Sequence, residues 1–395
     1  MLRSQLSLVR SFSTVLGSGL VVNASTFAIM ALAPITLSVQ DFAKLALSVT
    51  GVMFLATLMD LGLSVTSIRQ FAATKNPAYV ALSIKFRVLL FLIISPLAIT
   101  LCFWPELRPY AVALIGAASL NIWTGLRAAD QAREEFTGLA KANLTFSVTR
   151  LVFAGAGLAS HSWIGVLIGM FPAPVLIIAA YKAKDLLRNI RADTTPVLSS
   201  SVVYARYVFL SAVCYNGLMA LPTAIAGVKL DPIALGTIGL ANTLIAPVAL
   251  LNAAARLVLM PRVSANGMSL RSILSPTKVI MGLALTLLFA TTAGLLGAFF
   301  YSEKFPMSGP VISIMTAGLI VTSILGLMNL EIHRIGAPSL EAIANLMRLI
   351  VTTSILWFLA ESVFVLSLTS AACMVAGEIA LFLMIKIRSG KIKSI

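Results

Sequence analysis

The basic residues of this chain fall so unevenly between its apolar segments that they dictate how it must lie. Twelve apolar segments can be delimited, near 11–33, 45–66, 86–104, 110–127, 144–160, 163–181, 204–226, 234–258, 278–301, 311–330, 341–360 and 362–385. Of the 29 Lys and Arg residues, 25 sit in the tails or around the connections that follow even-numbered segments. The connections after odd-numbered segments hold only Lys44, Arg108, Lys229 and Lys304. In short loops, the side rich in Lys and Arg is the cytoplasmic side. The expected fold is therefore all-α: a polytopic membrane protein of about 12 transmembrane helices, with both termini cytoplasmic.

Composition agrees. Of 395 residues, 59% are apolar and 11% charged, so spans of ~20 residues use most of the chain and leave no soluble domain. A net charge of +15 would suggest nucleic acid in a soluble protein. Spread along one membrane face, it points instead to anionic headgroups, so membrane lipids are expected partners and nucleic acid is not. Cys102, Cys214 and Cys373 lie far apart in apolar segments without a C-x-x-C spacing, and read as packing residues. His161 and His333 fall on opposite membrane faces. No metal site or other cofactor is expected. Arg3 and Arg10 ahead of an apolar run, with Ala31-Leu32-Ala33 behind it, imitate a signal peptide. The run is longer than a signal core and contains Asn23, so it reads as a true span.

The chain reads as a duplication. Segments one and seven start 193 residues apart, and the same offset relates Asn23 to Asn216, Arg69 to Arg262 and Lys85 to Lys278. The expected domains are a six-helix bundle over 1–190, a cytoplasmic linker over 191–203 and a second six-helix bundle over 204–395. An even number of spans per unit keeps both halves the same way up. Their expected relation is a pseudo-two-fold axis along the membrane normal, as in parallel-repeat transporters, where one half rocks against the other.

Two stretches resemble a known family. The loop Ser38-Val39-Gln40-Asp41-Phe42-Ala43-Lys44 and the helix ending Asp60-Leu61-Gly62-Leu63-Ser64, followed by Arg69 and Ala72, are similar to the start of polysaccharide-type transporters. These are the oligosaccharide-lipid flippases of the multidrug/oligosaccharidyl-lipid/polysaccharide (MOP) exporter superfamily. The resemblance implies a flippase, not an enzyme, in the bacterial inner membrane. Its cargo would be an undecaprenyl-diphosphate-linked glycan, and polysaccharide-assembly proteins its further partners. A count of twelve spans fits the O-antigen-type, lipopolysaccharide-related branch rather than the lipid II branch. The alternatives are a multidrug and toxin extrusion-type cation antiporter, which would want several cavity carboxylates, and a membrane-embedded glycan polymerase or glycosyltransferase, which would want larger outer loops.

Such cargo needs cations for phosphate, polar groups for sugar and a slot for lipid. Arg stays charged and can bind two phosphate oxygens at once. Arg10, Arg69, Arg127, Arg150, Arg206, Arg256 and Arg348 fall near the cytoplasmic ends of spans, where snorkelling to headgroups is the alternative role. Arg127 and Arg256 stand out because their spans also carry Asn: Asn121 in one, Asn242 and Asn252 in the other. Asn252 and Arg256 are one helical turn apart. Asn23 and Asn216, in the first helix of each half, complete the expected substrate-binding set, although helix–helix glue also explains intramembrane Asn. Glu378, deep in the last span among apolar neighbours, and Asp60 are the candidate coupling groups, since an intramembrane carboxylate can take up a proton or cation. For Asp60 the competing role is pairing with a nearby Arg. No G-x-x-x-x-G-K-[ST] loop, H-E-x-x-H or G-x-S-x-G occurs.

Overall fold

The structure is a computed structural model that describes residues 2–105, 107–246, 248, 276–328 and 338–392. Among the described residues there is no strand, and eleven helices are long and apolar enough to cross a membrane. The helices are α1 (Leu2–Thr36), α2 (Val39–Asp60), α3 (Leu63–Thr74), α4 (Ala78–Leu101), α5 (Arg108–Ala132), α6 (Phe136–Ala159), α7 (Trp163–Met170), α8 (Pro172–Tyr181) and α9 (Ala183–Arg191). They continue with α10 (Leu198–Lys229), α11 (Pro232–Ala246), α12 (Pro276–Tyr301), α13 (Ser308–Met328), α14 (Pro338–Leu359) and α15 (Val363–Ile392). Helix α11 covers the first half of the expected eighth span. Asn252 and Arg256 lie outside the described residues, as do Arg262 and His333.

The chain divides into two compact units, Met1–Asn216 and Gly217–Ile395. In the first, α5 packs against α2, α3, α4, α7 and α8, while α1 and α7 pack along α6. In the second, α13 packs against α12 and α15, and α14 against α15. Hydropathy and burial run in opposite senses in α4 and α5. Helix α5, with a mean hydropathy of only 1.2, has 67% of its span buried, whereas α4, at 2.1, has 17% buried. Lipid is as apolar as Leu, so an apolar helix gains nothing by hiding from it. Small residues that allow close backbone approach favour the interior instead. Helix α5 supplies them as Ala111, Ala113, Gly116, Ala117, Ala118, Gly125, Ala128 and Ala129, all buried.

The Asp60-Leu61-Gly62 sequence breaks the second span into α2 and α3. Leu61 and Gly62 have φ of 48° and 73°, a left-handed pair that ends α2 and restarts the chain as α3. A Cβ at position 62 would lie 2.7 Å from the Ala205 carbonyl oxygen of α10, so glycine is required there by conformation and by space.

One expectation needs correcting. Helices α4 and α6 begin eight residues ahead of the apolar runs that mark their spans, and α14 begins three ahead. Arg87, Arg150 and Arg348, counted among the loop charges by those runs, are therefore mid-helix residues. Arg87 and Arg150 are 1% and 3% exposed.

Candidate functional site

A buried arginine must be hydrogen-bonded and neutralised, or it is kept for a ligand. The arginines within the described spans meet this demand in different ways, and the differences locate the site.

Arg87 is fully satisfied. Its Nη2 pairs with Asp60 and donates to Ser64 Oγ at 2.8 Å, Nη1 donates to Ser83 Oγ, and Nε donates to Asn121 Oδ1 at 3.0 Å. Asn121 turns its Nδ2 to the Met59 carbonyl at 3.3 Å. Gly125 leaves room for the guanidinium, since a Cβ there would stand 2.7 Å from Arg87 Cδ. Asp60 thus closes an ion pair between α2 and α4. Asp130 is taken in the same way: Lys182 Nζ donates to both its oxygens, at 2.6 Å to Oδ1.

Arg150 is bonded but not neutralised. Pro172 and Pro174 have no N–H, so α7 stops at Met170 and the Met170 carbonyl loses its donor four residues on. Arg150 Nε supplies one at 2.9 Å, while Nη1 reaches the Val22 carbonyl at 3.3 Å and Thr26 Oγ1. Its guanidinium also lies over the Phe146 ring, 4.2 Å from the centroid. No carboxylate among the described residues pairs with it.

Arg127 is neither neutralised nor hydrogen-bonded by any of the described residues. Its Nε is buried without a partner, and its contact is with the Trp123 ring, 5.9 Å from Cζ to centroid. Trp123 stacks on Phe146, with centroids 4.6 Å apart and planes 2° apart. Arg127, Trp123, Phe146 and Arg150 thus form a ladder with a cation at each end, and the two like charges are close enough to act on each other. Asn143, one turn from Phe146, donates from Nδ2 to Ser18 Oγ at 2.9 Å and keeps a buried Oδ1 without a donor. Held between α1, α5 and α6, this is a small electropositive site with an unused donor and an unused acceptor.

The remaining expected residues lie elsewhere. Asn23 and Asn216 each donate to a backbone carbonyl four residues back, Gly19 and Ala212, both at 2.9 Å. Asn242 donates to Thr223 Oγ1 at 2.9 Å and lines a cavity of about 30 Å³ with Met219, Met315 and Met374. Glu378 does not stand among apolar neighbours alone: Arg348 Nη1 of α14 donates to its Oε1 at 2.8 Å. Arg348 Nη2 bonds the Met374 carbonyl at 3.2 Å, and Gly377 leaves space for its side chain.

That pair carries a prediction. Glu378→Gln keeps a hydrogen bond but removes the charge opposite Arg348, and is expected to cost about 1.5–3 kcal/mol of stability. In liposomes the variant is expected to respond to an imposed pH gradient as the wild type does. A variant that stays stable but loses that response would return Glu378 to the coupling role.

The structure also shows why Asn121 was a poor guide to Arg127. Residues six apart in a helix are about 240° apart around its axis, so Asn121 faces Arg87 and Arg127 faces the aromatic ladder. Arg87, Asn143 and the Lys182–Asp130 pair were absent from the expected site. For Arg150 a clue stood in the Phe171-Pro172-Ala173-Pro174 run, which frees the Ile168 and Met170 carbonyls and calls for a donor from another helix.

No family model matches the chain, and no curated protein matches it by sequence. Solved structures do. The lipid II flippase MurJ, in an inward closed conformation, aligns over 98% of this chain and 88% of its own, with 13% identity and a TM-score of 0.69. An inward-facing multidrug resistance MATE family transporter of the MOP superfamily aligns over 94% of this chain and 95% of its own, with 14% identity and a TM-score of 0.62. A MATE transporter of Vibrio cholerae aligns over 98% of both chains, with 16% identity and a TM-score of 0.55. Across nearly its whole length, this chain shares its fold with MurJ and with the MATE transporters.

Proposed function

We propose that this protein is a transporter of the MOP type that flips a lipid-linked anionic glycan, with Arg127 holding its diphosphate. The observation that carries the reading is the state of Arg127: a cation inside a membrane span, with a buried Nε that nothing among the described residues accepts from. A second cation, Arg150, lies nearby with no carboxylate partner among the described residues. Intramembrane charges are costly and mark ligand pathways. A diphosphate supplies what is missing, charge to balance two guanidinium groups and acceptor oxygens for a forked donor.

A cation extruder is the weaker reading. The intramembrane carboxylates Asp60, Asp130 and Glu378 are engaged by Arg87, Lys182 and Arg348, which leaves none of the three open to a cationic drug. Among lipid-linked glycans, the motif resemblance favours an O-antigen or related surface-polysaccharide precursor on undecaprenyl diphosphate. The protein would then work in the bacterial inner membrane with its basic loops and both termini in the cytoplasm, alongside polysaccharide-assembly proteins.

The test is reconstitution. In proteoliposomes, wild-type protein is expected to move a fluorescent polyprenyl-diphosphate oligosaccharide between leaflets and to leave ethidium gradients untouched. Gradient-driven ethidium movement without glycan flipping would overturn the proposal in favour of cation export.

A further inference from the structure

Helices α5 and α6 run antiparallel across the short turn 133–135, and the Trp123–Phe146 stack fixes which residues stand level. One turn from Trp123 toward that connection, α5 carries Arg127. One turn from Phe146 in the same direction, α6 carries Asn143. The cluster uniting Val22, Trp123, Leu126, Ala142 and Phe146 brings together the immediate neighbours of both. Among the described residues of the first unit, the buried side-chain atoms without a partner, apart from the Ser95 hydroxyl, are Arg127 Nε, a donor, and Asn143 Oδ1, an acceptor.

A phosphate satisfies only the first. Its oxygens are acceptors, and an amide oxygen turned toward them is left unpaired, which is costly in a buried site. What satisfies both is a ligand with an anionic oxygen for Arg127 and a hydroxyl or amide N–H within a few ångströms of it. A sugar attached directly to a phosphate has that combination. A polyprenyl phosphate or diphosphate without sugar has the anion and a hydrocarbon tail, and no donor to offer.

We infer that Asn143 is a specificity-determining residue that accepts a hydrogen bond from the sugar next to the phosphate held at Arg127, so that glycosylated carriers are preferred over bare ones. This rests on the anionic reading of the Arg127 site. Ser18 has a positioning part: by accepting a hydrogen bond from Asn143 Nδ2 it holds the amide with its oxygen outward.

The experiment uses the full chain in nanodiscs and two probes, farnesyl diphosphate and farnesyl-diphosphate-linked N-acetylglucosamine. Wild type is expected to bind the sugar-bearing probe about tenfold more tightly, as one hydrogen bond in a buried site allows. Asn143→Leu, similar in size but without the acceptor, is expected to bring the ratio of the two affinities near one, and Asn143→Ala serves the same purpose if the Leu variant does not fold. Arg127→Ala is expected to weaken both probes and keep the ratio. Equal affinities in wild type, or a tenfold ratio that survives both Asn143 variants, overturns the role of Asn143 while the Arg127 dependence stands. Failure of wild type to bind either probe, or indifference of both probes to Arg127→Ala, overturns the anionic reading and this inference with it.

Discussion

Replacing Arg127 by Ala is expected to reduce glycan flipping at least tenfold, with membrane insertion and thermal stability unchanged. The native side chain has no hydrogen bond or ion pair among the described residues to lose, only its contact over the Trp123 ring. Truncation therefore removes little from the fold. What it removes from the bound state is a charge-assisted contact, and such hydrogen bonds contribute about 1.5–3 kcal/mol, or tenfold and upward in affinity. Arg127→Lys is expected to recover only part of the activity, because an ammonium cannot fork across two phosphate oxygens. The measurement is initial flipping rate in proteoliposomes beside the melting temperature of the same preparation. Full activity of the Ala variant would refute the assignment; equal loss of activity and stability would make Arg127 structural.

Arg87→Leu is expected to do the opposite: lower stability by about 3–5 kcal/mol, because it strands Asp60 without its counter-charge. Ser64, Ser83 and Asn121 each lose a partner as well, although Ser64 still donates to Asp60 and Asn121 to the Met59 carbonyl. The double variant Arg87→Leu/Asp60→Leu is expected to regain most of the loss, since replacing both members of a buried pair by apolar groups is often near neutral. Unfolding in mixed detergent micelles across the two single variants and the double variant measures this directly. A single-variant loss below 1 kcal/mol would show that the pair is not holding α2 to α4.

Much of the fold was legible because the bilayer acts on each segment separately. Whether a stretch such as 363–387 can cross depends on its own length and hydropathy, and which side a loop takes depends on its own Lys and Arg content. The low hydropathy of α5 together with its run of Ala and Gly is a local signal too, and it marks the helix that the others surround. Asp60-Leu61-Gly62 announced a break, because only glycine takes φ of 73° without strain.

The candidate site was legible in part. Arg127 was singled out, but on the strength of Asn121, which faces another way. Arg87, Arg150 and Arg348 looked alike in the sequence, each an arginine at the edge of an apolar run. What separates them is the helix opposite. Arg87 meets Asp60, Arg348 meets Glu378, Arg150 meets the Met170 carbonyl freed by Pro174, and Arg127 meets an aromatic face and nothing among the described residues that neutralises it. An arginine's hydration, pairing or availability depends on the rotation and level of its neighbours, which packing between helices sets. Residues 27 or 30 apart in sequence, as in the Arg87–Asp60 and Arg348–Glu378 pairs, carry no periodic signal that names them partners. The apolar runs and charge alternation determined that this chain crosses a membrane many times. Only the tertiary structure decided which intramembrane charge was left for a ligand, because that is a property of the space between helices and not of any one of them.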